Sequence, residues 1–207
     1  MVCLMPSERF MIQLMDRVAT YAWAGEESNL ECFRKGQIQS KEWLVYEINK
    51  FKKDFKKVAV LGSWDSILLY ELMTVSGKVE HWDFYDMEQG CHKRRDKYFD
   101  INGMSPNYNS FTADVTEIFN DENLCSQYDL IINPSAEHMK DIPAQKGPLY
   151  AITSNNYHEV SEHINTIEDY RDLAVKNNIN SVLYEGELKL PLYTRFCTVG
   201  YKDVRNI

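Results

Sequence analysis

The chain has 207 residues, enough for one well-packed domain and short for two. Apolar residues at 44% and charged residues at 26% exclude a fibrous or disordered chain and fit a globular domain. The formal net charge of −8 argues against tight, non-specific nucleic-acid binding, which needs a cationic surface.

Phe10, Met11, Leu14, Met15, Val18, Tyr21 and Ala22 fall at helical spacing and predict an amphipathic helix from Pro6 to Trp23. A polar stretch, 25–39, follows. Ser40 is a candidate N-cap for a second helix that buries Trp43, Leu44, Ile48 and Phe51. Lys50, Lys52, Lys53, Lys56 and Lys57 read as a solvated helix end. Val58-Ala59-Val60-Leu61 is a wholly apolar run that ends in Gly62 and leads into a helical stretch, 67–73, closed by Gly77. Strand, glycine turn and helix open a βαβ unit. Further strands are expected at 79–85, 111–114, 128–133 and 149–153, with helices at 89–99 and 167–175 between them. Two last strands, 181–184 and 193–201, have no helix between them and predict an antiparallel hairpin.

This order predicts a Rossmann-like, doubly wound α/β fold. Its sheet is mostly parallel, with helices on both faces and an antiparallel C-terminal hairpin. Residues 1–39 are expected as an N-terminal helical extension, a lid or packing helix, ahead of a main domain over 40–207. The five cysteines show no ligand or disulfide spacing, and the N-terminus resembles neither a signal peptide nor a membrane span; a reducing cytoplasm is expected.

In such sheets the ligand binds beyond the carboxyl ends of the strands. Gly62 there lets the backbone approach a ligand, or merely makes a tight turn. Asp83, taken as the end of the second strand, can accept the hydroxyl protons of a ribose, or be a solvated strand-end carboxylate. Asp114, after the third, can meet an adenine amino group, cap the residues from Val115 onward, or do both. Ser154-Asn155-Asn156-Tyr157 follows the fifth strand and suits recognition of a polar acceptor or a simple turn.

Taken together, Gly62, Asp83, Asp114 and Asn133-Pro134 at successive strand ends, with the closing hairpin, resemble the class I S-adenosylmethionine-dependent methyltransferases over residues 40–202. The 21 residues from Gly62 to Asp83 match that family's spacing. Its first motif is acidic-x-Gly-x-Gly-x-Gly; here Val60, Gly62, Trp64 and Ser66 stand at those positions, so only the first glycine is kept. The resemblance implies S-adenosylmethionine as cofactor, held by Gly62, Ser63, Trp64, Asp83, Phe84, Asp114 and Val115. Asn133-Pro134 stands where amine-methylating members carry Asn-Pro-Pro-aromatic, which makes Asn133 a candidate catalytic residue that orients the acceptor. The end of the fourth strand also resembles methyltransferase-like proteins of phages and marine bacteria.

Glu137-His138 follows directly and is expected at the pocket mouth, with His138 a candidate general base because its ordinary pKa lies near roughly 6.5. Asn155, Asn156, Tyr157 and Arg195 are candidate acceptor-binding residues; Arg195 can clamp an anionic group or lie on a strand surface. Glu137-His138 and Glu162-His163 are two pairs of possible nitrogen and oxygen ligands, but no spacing links them and no metal is predicted. The sequence-based expectation is methyl transfer to a small polar molecule. The alternatives are a degenerate, non-catalytic binding domain, or lyase or hydrolase chemistry on the same cofactor. No membrane or nucleic-acid partner is expected.

Overall fold

The computed structural model describes residues 8–24 and 29–202; Pro6, the expected helix start, lies outside them. Helix α1 (Glu8–Trp23), a 3-10 turn at Glu31–Phe33 and helix α2 (Lys35–Asn49) precede strand β1 (Asp54–Leu61). Then come α3 (Ile67–Ser76), β2 (Lys78–Asp86), α4 (Gln89–Ile101) and β3 (Tyr108–Thr112). Two single turns, α5 (Val115–Ile118) and α6 (Glu122–Cys125), lead to β4 (Leu130–Asn133) and a 3-10 turn at Ala136–His138. Strand β5 (Leu149–Asn155), helix α7 (Tyr170–Lys176) and the hairpin β6 (Ser181–Lys189) and β7 (Thr194–Tyr201) complete the chain.

The seven strands form one sheet in the order β3-β2-β1-β4-β5-β7-β6. Strands β1 to β5 pair in parallel, and β7 inserts antiparallel between β5 and β6. The expected fold class is therefore the observed one. Alternation along each strand splits the sheet's side chains between two cores. Val58 and Val60, Leu130 and Ile132, and Leu149 and Ala151 join the core under α1 to α4. Ala59 and Leu61, Ile131, and Tyr150 and Ile152 join the core on the other face, with Leu173 and Ala174 of α7.

Two expected boundaries move. Helix α2 starts at Lys35, not after Ser40; Ser40 is buried mid-helix, and its hydroxyl donates to the Gly36 carbonyl. A serine that bonds four residues back is compatible with a helix interior, so its type alone does not mark a start. The third strand lies at Tyr108–Thr112 rather than 111–114, because this edge strand is mostly exposed and carries no apolar run. Gly77 closes α3, with its N–H on the Met73 carbonyl; any side chain there would run into the Lys53 carbonyl, which pairs with Lys78 at the start of β2. Helix α1 is tied down by Arg17, which forks onto both oxygens of the Glu71 carboxylate at 2.8 and 2.6 Å, while Tyr98 donates to the same group.

Asp83 has a structural place. It is 1% exposed on β2, with Lys57 at 2.8 Å, Tyr128 at 2.8 Å, His81 at 2.9 Å and Asn109 at 2.9 Å. Burial pulls its pKa up, but the hydrogen bonds from Lys57, Asn109, Tyr128 and His81 outweigh it and hold the carboxyl below its ordinary value. The group pins β1, β2 and β3 to Tyr128. Asp83→Ala is expected to cost about 2–3 kcal/mol in urea unfolding, less than a fully buried pair because Lys57 stays partly hydrated. A lowered folded-state pKa gives stability that is full above the unfolded value of about 3.9 and is lost as pH falls through the folded one. Asp83→Asn should therefore flatten the acid limb of the stability curve; an unchanged limb refutes this role.

Candidate active site

A cavity of about 690 Å3 opens where β1 to β5 end, the position expected for a doubly wound sheet. Its floor is the loop between β1 and α3. Gly62 has φ +57°, Trp64 +46° and Ser66 +47°. These are the three positions at which the resembled motif carries glycine, and all three take a left-handed backbone although two bear side chains. An L-residue in that conformation costs about 1–2 kcal/mol, so neighbours must hold it. Ser63 N–H donates to the Tyr85 carbonyl at 2.8 Å, Trp64 N–H to Asp86 Oδ2 at 2.7 Å, and the Ser66 hydroxyl to the Ser63 carbonyl. Arg94 adds an ion pair to the buried Asp65 at 2.8 Å. Gly62 faces Met139, whose terminal methyl a Cβ would meet.

Among the residues chosen from sequence for the cofactor, Gly62, Ser63, Trp64, Asp114 and Val115 line the cavity. Asp83 and Phe84 do not. Asp83 belongs to the strut described above, and Phe84 is fully buried, stacked on Trp82 at 5.5 Å and beneath the Arg95 guanidinium at 4.1 Å. The β2 carboxylate that lines the cavity is instead Asp86, the last residue of the strand. Its oxygens take the N–H groups of Trp64 and Glu88, and each keeps a further lone pair for a ligand hydroxyl. Asp114 caps α5 through Thr116 with Oδ1 and still lines the cavity, so both roles read from its sequence position remain compatible.

At the other end, Glu137, His138, Asn155, Tyr157 and Arg195 line the cavity. Asn133 does not. It is 2% exposed, its amide nitrogen meets Met139 Sδ at 3.3 Å, and its oxygen accepts the Ser135 N–H. The Pro134 carbonyl, which would share the positioning of an amine, accepts from Arg195 at 3.1 Å. Asn156 is also absent from the lining and joins β5 to β7 through both main-chain groups of Thr194. Arg195 is 4% exposed rather than a surface-strand residue; it pairs with Glu137 at 3.2 Å, and Asn155 donates to the same carboxylate oxygen. Asn155 and Arg195 thus position Glu137.

Further residues line the cavity, of which Arg34, Gln37 and Lys41 are not among those the sequence singles out. His163 arrives from the loop after β5, and Arg34, Gln37 and Lys41 project from one face of α2 and the turn before it. Lys41 has no hydrogen bond or ion pair among the described residues. Burial first, and the Arg195 charge second, push its ammonium down to about 7, against the pull of Glu137 and Cys32. Burial lowers His138 too, reinforced by His163 and Arg195 and opposed by Glu137.

Two outcomes are expected. Trp64→Gly and Trp64→Ala lose the same ring, but only glycine relieves the positive φ, so the glycine variant should be more stable by about 1 kcal/mol in thermal or urea melts. Equal stabilities would refute the strain. Competitive acetylation read by mass spectrometry should show Lys41 gaining reactivity as pH rises through about 7; a midpoint near the ordinary lysine value of about 10.4 would contradict its placement.

No protein-family model matches the sequence, and no curated protein matches it. Solved structures do match its fold. A proposed sarcosine dimethylglycine methyltransferase from Galdieria sulphuraria superposes with TM-score 0.60 at 14% identity, over 91% of this chain and 98% of that one. TrmK from M. capricolum, solved with S-adenosylhomocysteine, gives 0.51 at 15% identity over 77% and 70%. Spermidine synthase from Thermotoga maritima gives 0.54 at 16% identity over 83% and 61%. At these identities the likeness is one of architecture, and the chain carries the fold of the class I S-adenosylmethionine-dependent methyltransferases.

Proposed function

We propose that this chain binds S-adenosylmethionine in the cavity and transfers its methyl group to an acceptor at the β4–β5 end. The observation that carries this reading is the loop at 62–66, which pays for a left-handed backbone at three alternating positions with two side chains in place of glycine. Strain of that kind persists where a site requires the geometry. It keeps the main chain close to a ligand and sets α3, with its free N–H groups, against the cavity.

In this assignment Gly62, Ser63 and Trp64 hold the amino-acid end of the cofactor, Asp86 the ribose, and Asp114 with Val115 the adenine. The sulfonium supplies the leaving group, so the protein's own task is positioning and proton removal. Lys41, with its ammonium pKa lowered to about 7, is the group placed to take a proton from the acceptor. The closed Asx turn at Asn133 and the occupied Pro134 carbonyl weigh against the amine-positioning device of Asn-Pro-Pro enzymes. A spermidine synthase among the structural neighbours shows that the architecture is not confined to proteins named methyltransferases. The reaction itself therefore needs a chemical test.

Calorimetry with S-adenosylmethionine and S-adenosylhomocysteine should show binding by the native chain. Asp86→Ala should weaken it by about tenfold or more, the loss of one or two hydrogen bonds to a charged acceptor. Asp83→Asn should leave affinity near native wherever it folds. No binding by the native chain would overturn the cofactor assignment, and a larger effect at Asp83 than at Asp86 would overturn the ribose site.

A further inference from the structure

The loop after β5 folds back over the turn that follows β4. Asn165 N–H donates to the Glu137 carbonyl at 3.0 Å, and Ile167 N–H to the Asn155 carbonyl at 3.0 Å. This return sets the His163 ring against the His138 ring, with centroids 4.5 Å apart at 82°. One ligand-capable atom each from Glu137, His138 and His163 then lies within 4.8 Å of the other two.

Two observations separate this cluster from a chance gathering. Glu137 is 2% exposed and commits Oε1 to Asn155 and Arg195, while its Oε2 is buried with no partner. A buried carboxylate oxygen without a donor is costly, and a cation is the partner that removes the cost. The second concerns the His163 tautomer. Its Nδ1 lies 2.6 Å from the Tyr157 carbonyl, which can only accept, so Nδ1 carries the proton and Nε2 keeps its lone pair. An imidazole tied to a main-chain carbonyl and a carboxylate tied to an amide and a guanidinium are the supports that metal ligands ordinarily have.

We propose that Glu137, His138 and His163 form a binding site for a divalent transition-metal ion at the β4–β5 end of the cavity. Two imidazoles and one carboxylate are a mixed nitrogen and oxygen set, suited to zinc, iron or cobalt rather than to calcium or magnesium, which take oxygen alone. Bonds of about 2.0–2.2 Å hold tetrahedral neighbours about 3.4 Å apart, so the ligands close by about 1 Å around the ion, within reach of side-chain rotation. Three protein ligands leave a position open to the cavity, where an exogenous ligand can enter. Arg195 offsets the Glu137 charge from the Oε1 side and leaves Oε2 as the carboxylate oxygen without a donor.

The test uses the full chain, stripped with chelator, dialysed and titrated with cobalt(II) chloride. One equivalent should bind and produce visible absorption, which zinc then removes. His163→Ala, on a surface loop, should weaken binding by more than about 100-fold, and Asn155→Ala, which removes a donor to Glu137 and the acceptor of the Tyr157 N–H, by about 10–100-fold. Circular dichroism confirms that each variant is folded; if Asn155→Ala is not, His163→Ala carries the comparison. No cobalt spectrum from the native chain, or an affinity unchanged in His163→Ala, overturns the proposal. The titration needs no S-adenosylmethionine. A blank titration with cofactor binding intact removes the metal site alone, and the converse removes the cofactor assignment alone.

Discussion

The reversal of strand order at β1 is the constraint on which the site depends. Strand β1 pairs with β2 on one side and β4 on the other, so the chain leaves the sheet in opposite directions from adjacent strands. No connection can cover the gap between their carboxyl ends, and a crevice stays open there. Strands β1 to β5 then each deliver their next few residues to the rim. The polar groups of the cavity therefore come from sequence positions far apart, and none would have a ligand to share without the parallel core beneath. That core is secured by alternation: Val58 and Val60 face one layer while Ala59 and Leu61 face the other. A one-residue slip of β1 would exchange the layers, so register and crevice are specified together.

The architecture was legible because apolar runs bounded by turns survive almost any local ambiguity, and the sheet order follows from few topological rules. The site was less legible, for reasons that differ by residue. Asp83 and Asp86 are both acidic, three apart on one strand, and composition cannot say which lies at the strand's end. The register does: Asp83 pairs opposite Ala59 inside the sheet, whereas Asp86 is the strand's last residue. Trp64 and Ser66 read as departures from a glycine motif, yet both take a left-handed backbone that glycine would adopt without strain, in a loop held by hydrogen bonds to Tyr85 and Asp86 that sequence does not display. Arg195 reads as a surface residue because a buried arginine needs a carboxylate, and its partner lies 58 residues away.

The acceptor end shows the same principle in electrostatic form. Glu137, Arg195 and Lys41 come from a turn, an antiparallel strand and an N-terminal helix, and only one of the two cations is paired. Arg195 satisfies the carboxylate and retains its charge. Lys41, left with burial and a like charge nearby, gives up its proton near neutrality. A buried ion pair of this kind contributes little net stability, because desolvation offsets the attraction. Its consequence is directional: Arg195 and Asn155 both approach Oε1, which leaves Oε2 facing an unmet demand. Asp83 and Asp129 take donors on both oxygens, whereas Glu137 and Asp65 each keep one buried oxygen without a donor. What separates Glu137 from Asp65 is its neighbours: His138 and His163 stand beside it, and the proposed ion site at the β4–β5 end rests on that grouping.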